Sequence, residues 1–328
     1  MRTEIHPTQT KLVESTLGMG EREFYVDCLR SVMIALVVLL HTAITYGASG
    51  GWFYHELSPS AALSSKILTL SAGTNQAYSM GFLFLLAGYF TPGSLERKGY
   101  ARFLSDRFLR LGLPLLAFGL ILGPLTVAMV TAAEGNGFWS TFVWRWDPGP
   151  LWFVQALLMF SLVYCAWRAW FGAPLTNAQR EPRPIPGYCW WLLSAFGVSA
   201  AALAIRQVVP VGVTVIGMQL GFFASYIFLF SLGIAAWRHD WLRQLEWKHA
   251  RDWIVALVVA WLSFPVVCEL AISVKGSGEP NFSNVLGGLS WAAIAYAIWE
   301  PFIAWGMIAA WLLVFRRHPR VRNLLDTS

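Results

Sequence analysis

The sequence predicts an all-α fold: a polytopic integral membrane bundle of about eight transmembrane helices, with both termini in the cytoplasm. Three observations carry that prediction. Of 328 residues, 56% are hydrophobic and only 13% charged, about half the ~25% charge of soluble domains. Eighteen tryptophans suit membrane interfaces, where an indole keeps its ring in the apolar layer and its N–H near water. Basic residues also segregate between alternate loops, as described below.

Residues 1–24 are polar and Ser/Thr-rich without an apolar period, and read as a cytoplasmic leader. Some thirty residues mixing acids and bases precede the first apolar run, and no small-residue cleavage site ends it, so that run reads as a retained anchor. A span needs about 20 apolar residues. That length is met by 27–48, 67–90, 111–132, 151–171, 188–206, 213–237, 252–274 and 285–315. A proline turn near Pro210 divides the fifth from the sixth, and Glu300-Pro301 is expected to kink or interrupt the last.

With the N-terminus inside, twenty of the 24 Lys and Arg fall in inner loops, and Lys66, Arg145, Arg206 and Lys275 fall outside. Such a bias sets orientation. It also accounts for the net charge of +6 without a nucleic-acid partner. The cysteines (Cys28, Cys165, Cys189, Cys268) show no CxxC or Cys/His spacing and read as small buried hydrophobes. No Asp, Glu, Cys or His pattern offers a metal site. The outer loop 134–150, with Trp139, Trp144 and Trp146, reads as an interfacial aromatic loop or as a surface facing a sugar acceptor.

The first span carries the clearest chemistry. Arg30 and His41 are eleven residues apart, a rise of about 16 Å with an angular offset of only about 20°, so they share a helix face. Asp27, three residues before Arg30, shares it too. His41 is the only histidine inside a span. An imidazole there reads as a general base, or as a structural side chain bonded to a neighbouring helix. Arg30 with Asp27 reads on spacing alone as an interfacial ion pair. In the second inner loop, Arg107 and Arg110 lie i, i+3. Their forks suit a phosphate-bearing donor or an anionic lipid, and a purely topogenic role is the plainer alternative. Asn75 and Gln76 read as interhelical hydrogen-bonding amides. Glu269 sits near the outer end of the seventh span. Glu300 lies mid-span, where a carboxylate must be buried, paired or protonated.

Four stretches in order resemble the membrane-bound acyltransferase-3 family. Tyr25 to His41 is similar to the family's first helix, with Arg30 and His41 in its Arg-x10-His positions. Met80–Phe90 (MGFLFLLAGYF) resembles the segment ending in Ser-Gly-Tyr-Phe, with Ala87 in place of the serine. Arg107-Phe-Leu-Arg110, followed by Leu111 and Pro114, resembles the Arg-x-x-Arg motif. Gly149-Pro-Leu-Trp-Phe153 resembles the start of the fourth helix. The resemblance implies one transmembrane domain over 25–322 with a tail at 323–328. The family has ten spans, and Val321–Ser328 resembles the lead-in to a ninth.

The resemblance further implies O-acylation. The donor is acyl-CoA, by default acetyl-CoA with succinyl as the other choice, and no metal takes part. The acceptor is a carbohydrate or glycolipid hydroxyl of the cell envelope. Arg107 and Arg110 would bind the donor, Arg30 would orient it, and His41 would take the acceptor's proton or relay the acyl group. Glu300 is a further candidate at the working site. A bacterial inner membrane fits both family and topology. The same Arg and His stripe also fits a transporter or exporter of a small anionic solute, which would move substrate without consuming acyl-CoA. A non-catalytic membrane scaffold is a third reading.

Overall fold

The computed structural model describes residues 28–317, apart from 53, 61, 134, 136, 143, 145, 173–180, 272, 275–279 and 282. Asp27, the leader and the tail lie outside the described residues, as does the side chain of Glu269. Among the described residues the regular structure is helical apart from one antiparallel pair of two-residue strands, β1 (Ser273–Val274) and β2 (Pro280–Asn281).

Helix α1 is Cys28–Thr45. α2 is Leu63–Arg107, and it continues through a π-turn (Phe108–Gly112), α3 (Leu113–Ala117), a second π-turn (Phe118–Leu122) and α4 (Gly123–Ala133). Gly99, at φ 72°, breaks α2. That left-handed conformation is easily reached only without a Cβ, and it lets the chain reverse between the predicted second and third spans. A short α5 (Phe138–Thr141) and a 3-10 turn (Gly149–Leu151) lead into α6 (Trp152–Phe171). Then come α7 (Tyr188–Val208), a 3-10 turn (Leu220–Phe222), α8 (Phe223–His239) and the short α9 (Trp241–Gln244). The series ends with α10 (Trp247–Ala271), α11 (Ser283–Leu286) and α12 (Trp291–Arg317).

Among the described residues, six helices are long and apolar enough to cross a membrane: Cys28–Thr45, Leu63–Ala133, Gly149–Phe171, Tyr188–Val208, Leu220–His239 and Trp291–Phe315. The second runs to 71 residues and contains two of the expected spans, one on each side of Gly99. α10 covers the expected seventh. This is an integral membrane protein. Large apolar side chains such as Ile34, Val38, Leu193, Val259 and Leu262 remain exposed on the bundle's outside, where only lipid can cover them.

Three boundaries differ from expectation. Residues 213–219 are not helical; Val215 and Met218 exchange backbone hydrogen bonds across a turn containing Gly217. α12 begins only at Trp291 and runs through Pro301 without interruption. Cys189 is exposed, whereas Cys28 and Cys165 are buried.

α8 lies along α2, α10 lies along α12, and α12 also packs against α2 and α7. The α2–α8 crossing is closest where two glycines meet the opposite backbone. A Cβ on Gly88 would collide with the Phe230 carbonyl, and one on Gly233 would reach to 2.8 Å from the Tyr89 nitrogen. Small residues permit this approach in membranes, where packing rather than water exclusion drives association. The glycine of the Ala-Gly-Tyr-Phe stretch is thus a packing residue.

Candidate functional site

α1 carries both ends of the site. Near its first turn, the Arg30 guanidinium lies 4.8 Å from the centre of the Phe90 ring in α2, a cation–π distance. The arginine of the first motif therefore rests on the last residue of the second. Arg107 comes to the same end: it is half-buried and within electrostatic reach of Arg30, Arg110 and Cys165. Its Nη2 donates to Thr91 Oγ1 at 3.4 Å, and its guanidinium lies 4.9 Å from the Phe103 ring centre. No carboxylate among the described residues pairs with it.

Arg107 and Arg110, i, i+3 in sequence, lie within electrostatic reach of each other. Arg107 closes α2, while Arg110 sits in the π-turn Phe108–Gly112 and is exposed. The i→i+5 bonding of that turn follows directly on Arg107, which is the less exposed of the two. Between residues 96 and 110 five basic side chains accompany two acidic ones, and one of those acids is taken by the 2.5 Å Lys98–Asp106 pair. This end is cationic.

His41 is near the other end of α1. It is half-buried, and its ring packs against Trp52 with centroids 3.9 Å apart and planes tilted by 43°. Nδ1 lies 2.8 Å from the Val37 carbonyl oxygen. A carbonyl can only accept, so Nδ1 carries the proton and the neutral ring keeps its lone pair on Nε2. The backbone thus selects the tautomer that makes Nε2 a base. Thr45 Oγ1 donates to the His41 carbonyl at 3.0 Å. Below the histidine, Asn75 Nδ2 of α2 donates to the Leu36 carbonyl and pins α1 to α2.

The fourth motif builds a brace. Gly149 N donates to Asp147 Oδ1 at 2.9 Å, starting the turn that positions Trp152 at the head of α6. Trp152 stacks on Tyr226 at 5.7 Å and 27°. Trp146 Nε1 donates to Gln155 Oε1 at 3.1 Å, and Gln155 in turn donates to the Ile216 carbonyl. In the same loop Trp139 is exposed, and Trp144 Nε1 donates to the Leu120 carbonyl at 2.6 Å.

Glu300 belongs to a second polar centre. Its Oε2 accepts from Arg206 Nη2 at 2.5 Å, and both residues are buried. Arg206 was expected at the outer end of the fifth span. It lies in the last turn of α7, with only 1% of its side chain exposed. Arg206 Nε also donates to the Gly221 carbonyl at 3.0 Å, and the guanidinium lies 5.2 Å from the Tyr296 ring centre and 5.5 Å from that of Phe222. Tyr226 completes the centre; its hydroxyl accepts from Gln76 Nε2 at 3.2 Å. No hydrogen bond or ion pair among the described residues joins Glu300 to His41.

The spacing had carried a signal for this centre. Arg206 and Glu300 are lone opposite charges within two apolar runs, and an isolated buried charge is too costly to persist without its complement. Among the described residues, no three His, Cys, Asp or Glu side chains come together in a way that could hold a metal.

A family model described as an acyltransferase domain matches residues 23–325. The glucans biosynthesis protein C of Salmonella gallinarum is 25% identical over 260 residues. Those of Salmonella heidelberg and Salmonella schwarzengrund are each 24% identical over 259 residues. In each case the alignment covers 74% of this chain and 65% of the relative, so the chain spans about two-thirds of the relatives' length. No solved structure matches. A model that matches nearly the whole chain, over the same helices that hold the four motifs, places this protein in the acyltransferase-3 family.

Proposed function

We propose that this protein is a membrane O-acyltransferase that takes an acyl group, acetyl in the simplest case, from cytoplasmic acyl-CoA. The acceptor is a carbohydrate hydroxyl of the cell envelope. The relatives' name points to a glucan. One observation carries the reading: a cationic cluster and a histidine with its Nε2 lone pair available occupy opposite ends of a single helix.

In this reading the chain crosses a bacterial inner membrane eight times, with both ends in the cytoplasm and the cationic end on that side. Arg107 and Arg110 hold the donor's phosphates through charge-assisted hydrogen bonds, and Arg30, steadied on Phe90, orients the donor. The extended pantetheine arm then spans the distance along α1 toward His41. His41 Nε2 takes the proton of the acceptor hydroxyl as its oxygen attacks the acyl carbonyl. The C–S bond breaks, and the departing thiolate takes that proton from the imidazolium. Glu300 contributes as a positioning residue: paired with Arg206, it fixes α7 against α12 beside the Tyr226–Trp152 stack.

The test is turnover of labelled acetyl-CoA by purified protein in nanodiscs, wild type beside His41→Ala. Loss of a general base lowers rates by roughly 10²–10⁴-fold, so turnover is expected to fall at least that far while the variant remains inserted. Wild-type turnover by His41→Ala overturns the role of the histidine. Transport of an anionic solute without acyl-CoA consumption overturns the enzyme.

A further inference from the structure

Arg168 is a cation that the mechanism above leaves unused. It sits in the last turn of α6, where the Gly172 N–H caps its carbonyl at 3.0 Å. The residue is half-buried. Its Nε and Nη2 are enclosed and donate to no acceptor among the described residues, which leaves Nη1 as the nitrogen at the surface. Glu96, a carboxylate that acts on the neighbouring Tyr164, bonds neither enclosed nitrogen. An enclosed guanidinium without a bonded counter-charge is costly, and an anion at Nη1 offsets that cost.

The surroundings say which anion. Tyr164 lies four residues before Arg168, one turn away on the same face of α6. It is buried with Cys165 among Leu95 and Phe103 of α2, and Tyr100 packs against that cluster. α6 therefore lies on the stretch of α2 and the π-turn that carries Arg107 and Arg110. The two cations flank consecutive residues: Arg107 acts on Cys165 and Arg168 on Tyr164. Arg30 of α1 is among the charges that act on Arg107, and Arg168 is not. The cationic end thus offers two seats, one beside α1 and one beyond Tyr164.

Coenzyme A also carries phosphate in two places. Its diphosphate stands where the pantetheine arm begins, and its 3′-phosphate stands on the ribose, at the end away from the thioester. An arm that runs along α1 to His41 starts beside α1, so the diphosphate belongs to the Arg107 seat. The seat beyond Tyr164 is left for the other phosphate.

We propose that Arg168 holds the ribose 3′-phosphate of the donor while Arg107 and Arg110 hold its diphosphate, an assignment that rests on the acyl-CoA reading. The guanidinium fork suits a phosphate monoester, which accepts two charge-assisted hydrogen bonds at once.

The test is the affinity of the purified protein, in phosphatidylcholine nanodiscs, for coenzyme A and for 3′-dephospho-coenzyme A, read by titration calorimetry. A zwitterionic bilayer supplies no anionic headgroup to take the seat. Wild type is expected to bind coenzyme A about tenfold or more tightly than the dephospho form, the scale of one charge-assisted hydrogen bond. Arg168→Ala is expected to bind both forms equally, with its affinity for the dephospho form unchanged. Arg168→Gln is expected to do the same, so the preference is read even where one variant does not fold. Arg107→Ala is expected to weaken both forms alike and to keep the preference. Thermal unfolding of Arg168→Ala is expected at or above the wild-type temperature, because no bonded partner is lost. Equal affinities in wild type, a preference that survives both Arg168 variants, or a matched fall for both ligands overturns the assignment and leaves the donor site standing. A wild type that binds neither ligand overturns the acyl-CoA reading, and the role of Arg168 with it.

Discussion

Arg107 and Arg206 are two arginines inside one membrane bundle, and the protein treats them oppositely. Arg206 is sealed in the core, with Glu300, the Gly221 carbonyl and two aromatic rings around it. Arg107 is half-buried and has only a hydroxyl and a phenyl ring. A guanidinium in a low-dielectric setting without a counter-charge is expensive. The fold meets that cost at Arg206 from within. At Arg107 it leaves the strongest interaction open to an anion from outside. The comparison separates an arginine whose charge is met inside the bundle from one whose charge is met by no carboxylate among the described residues.

Removing one partner of the buried pair tests this most severely. Arg206→Ala or Glu300→Ala is expected to cost about 3–5 kcal/mol of stability, because each leaves a buried charge alone; thermal unfolding in nanodiscs measures it. The double replacement Arg206→Met with Glu300→Leu is expected to recover most of that loss. If the double variant is no more stable than the singles, the pair does more than cancel its own charges.

Arg107→Ala is expected to do the reverse. Stability changes little, while KM for acyl-CoA rises about tenfold or more, the scale of a lost charge-assisted hydrogen bond at ~1.5–3 kcal/mol. A large stability loss with unchanged KM would erase the distinction between the two arginines. Arg107→Lys keeps the charge but loses the fork, so a KM increase of a few-fold is expected, growing with added salt. Smallest is Thr91→Val. Removing the hydroxyl that steadies Arg107 is expected to shift KM by about twofold to tenfold, corresponding to a bond of ~0.5–1.5 kcal/mol.

The same pair of residues marks how far a sequence can be read. Apolar runs of bilayer length located the helices, and the eleven-residue spacing placed Arg30 and His41 on one face, because both depend only on local periodicity. The pairing of Arg206 was not foreseen because its partner lies 94 residues away, and no local pattern reports that Glu300 will meet it. The π-turn that holds Arg110 has no strong composition signal and was not foreseen. Residues 213–219 were apolar enough to pass for helix, yet Gly217, at φ 74°, ties them into a turn packed under Pro148. Pro301 does not stop α12, since neighbouring helices hold the segment that the proline weakens. The preferred tautomer of His41 came from a carbonyl one turn away, a contact available to any helical histidine and therefore invisible as a motif.

The glycine crossing of α2 and α8 has a mechanical consequence. With Gly88 and Gly233 each seated on the opposing backbone, neither helix can slide or roll without collision, and Asn75 fastens α1 to the same plank at Leu36. Opening the bundle by moving these three apart would break the tightest joint in the molecule. The described residues of the link after α1 meet that helix through the Glu56 and Leu57 N–H groups donated to the Thr45 carbonyl and through the Trp52 ring packed on His41. In the proposed reading, an acceptor at the imidazole therefore meets a rigid frame on the α2 side and the Trp52 ring, 3.9 Å from His41, on the other.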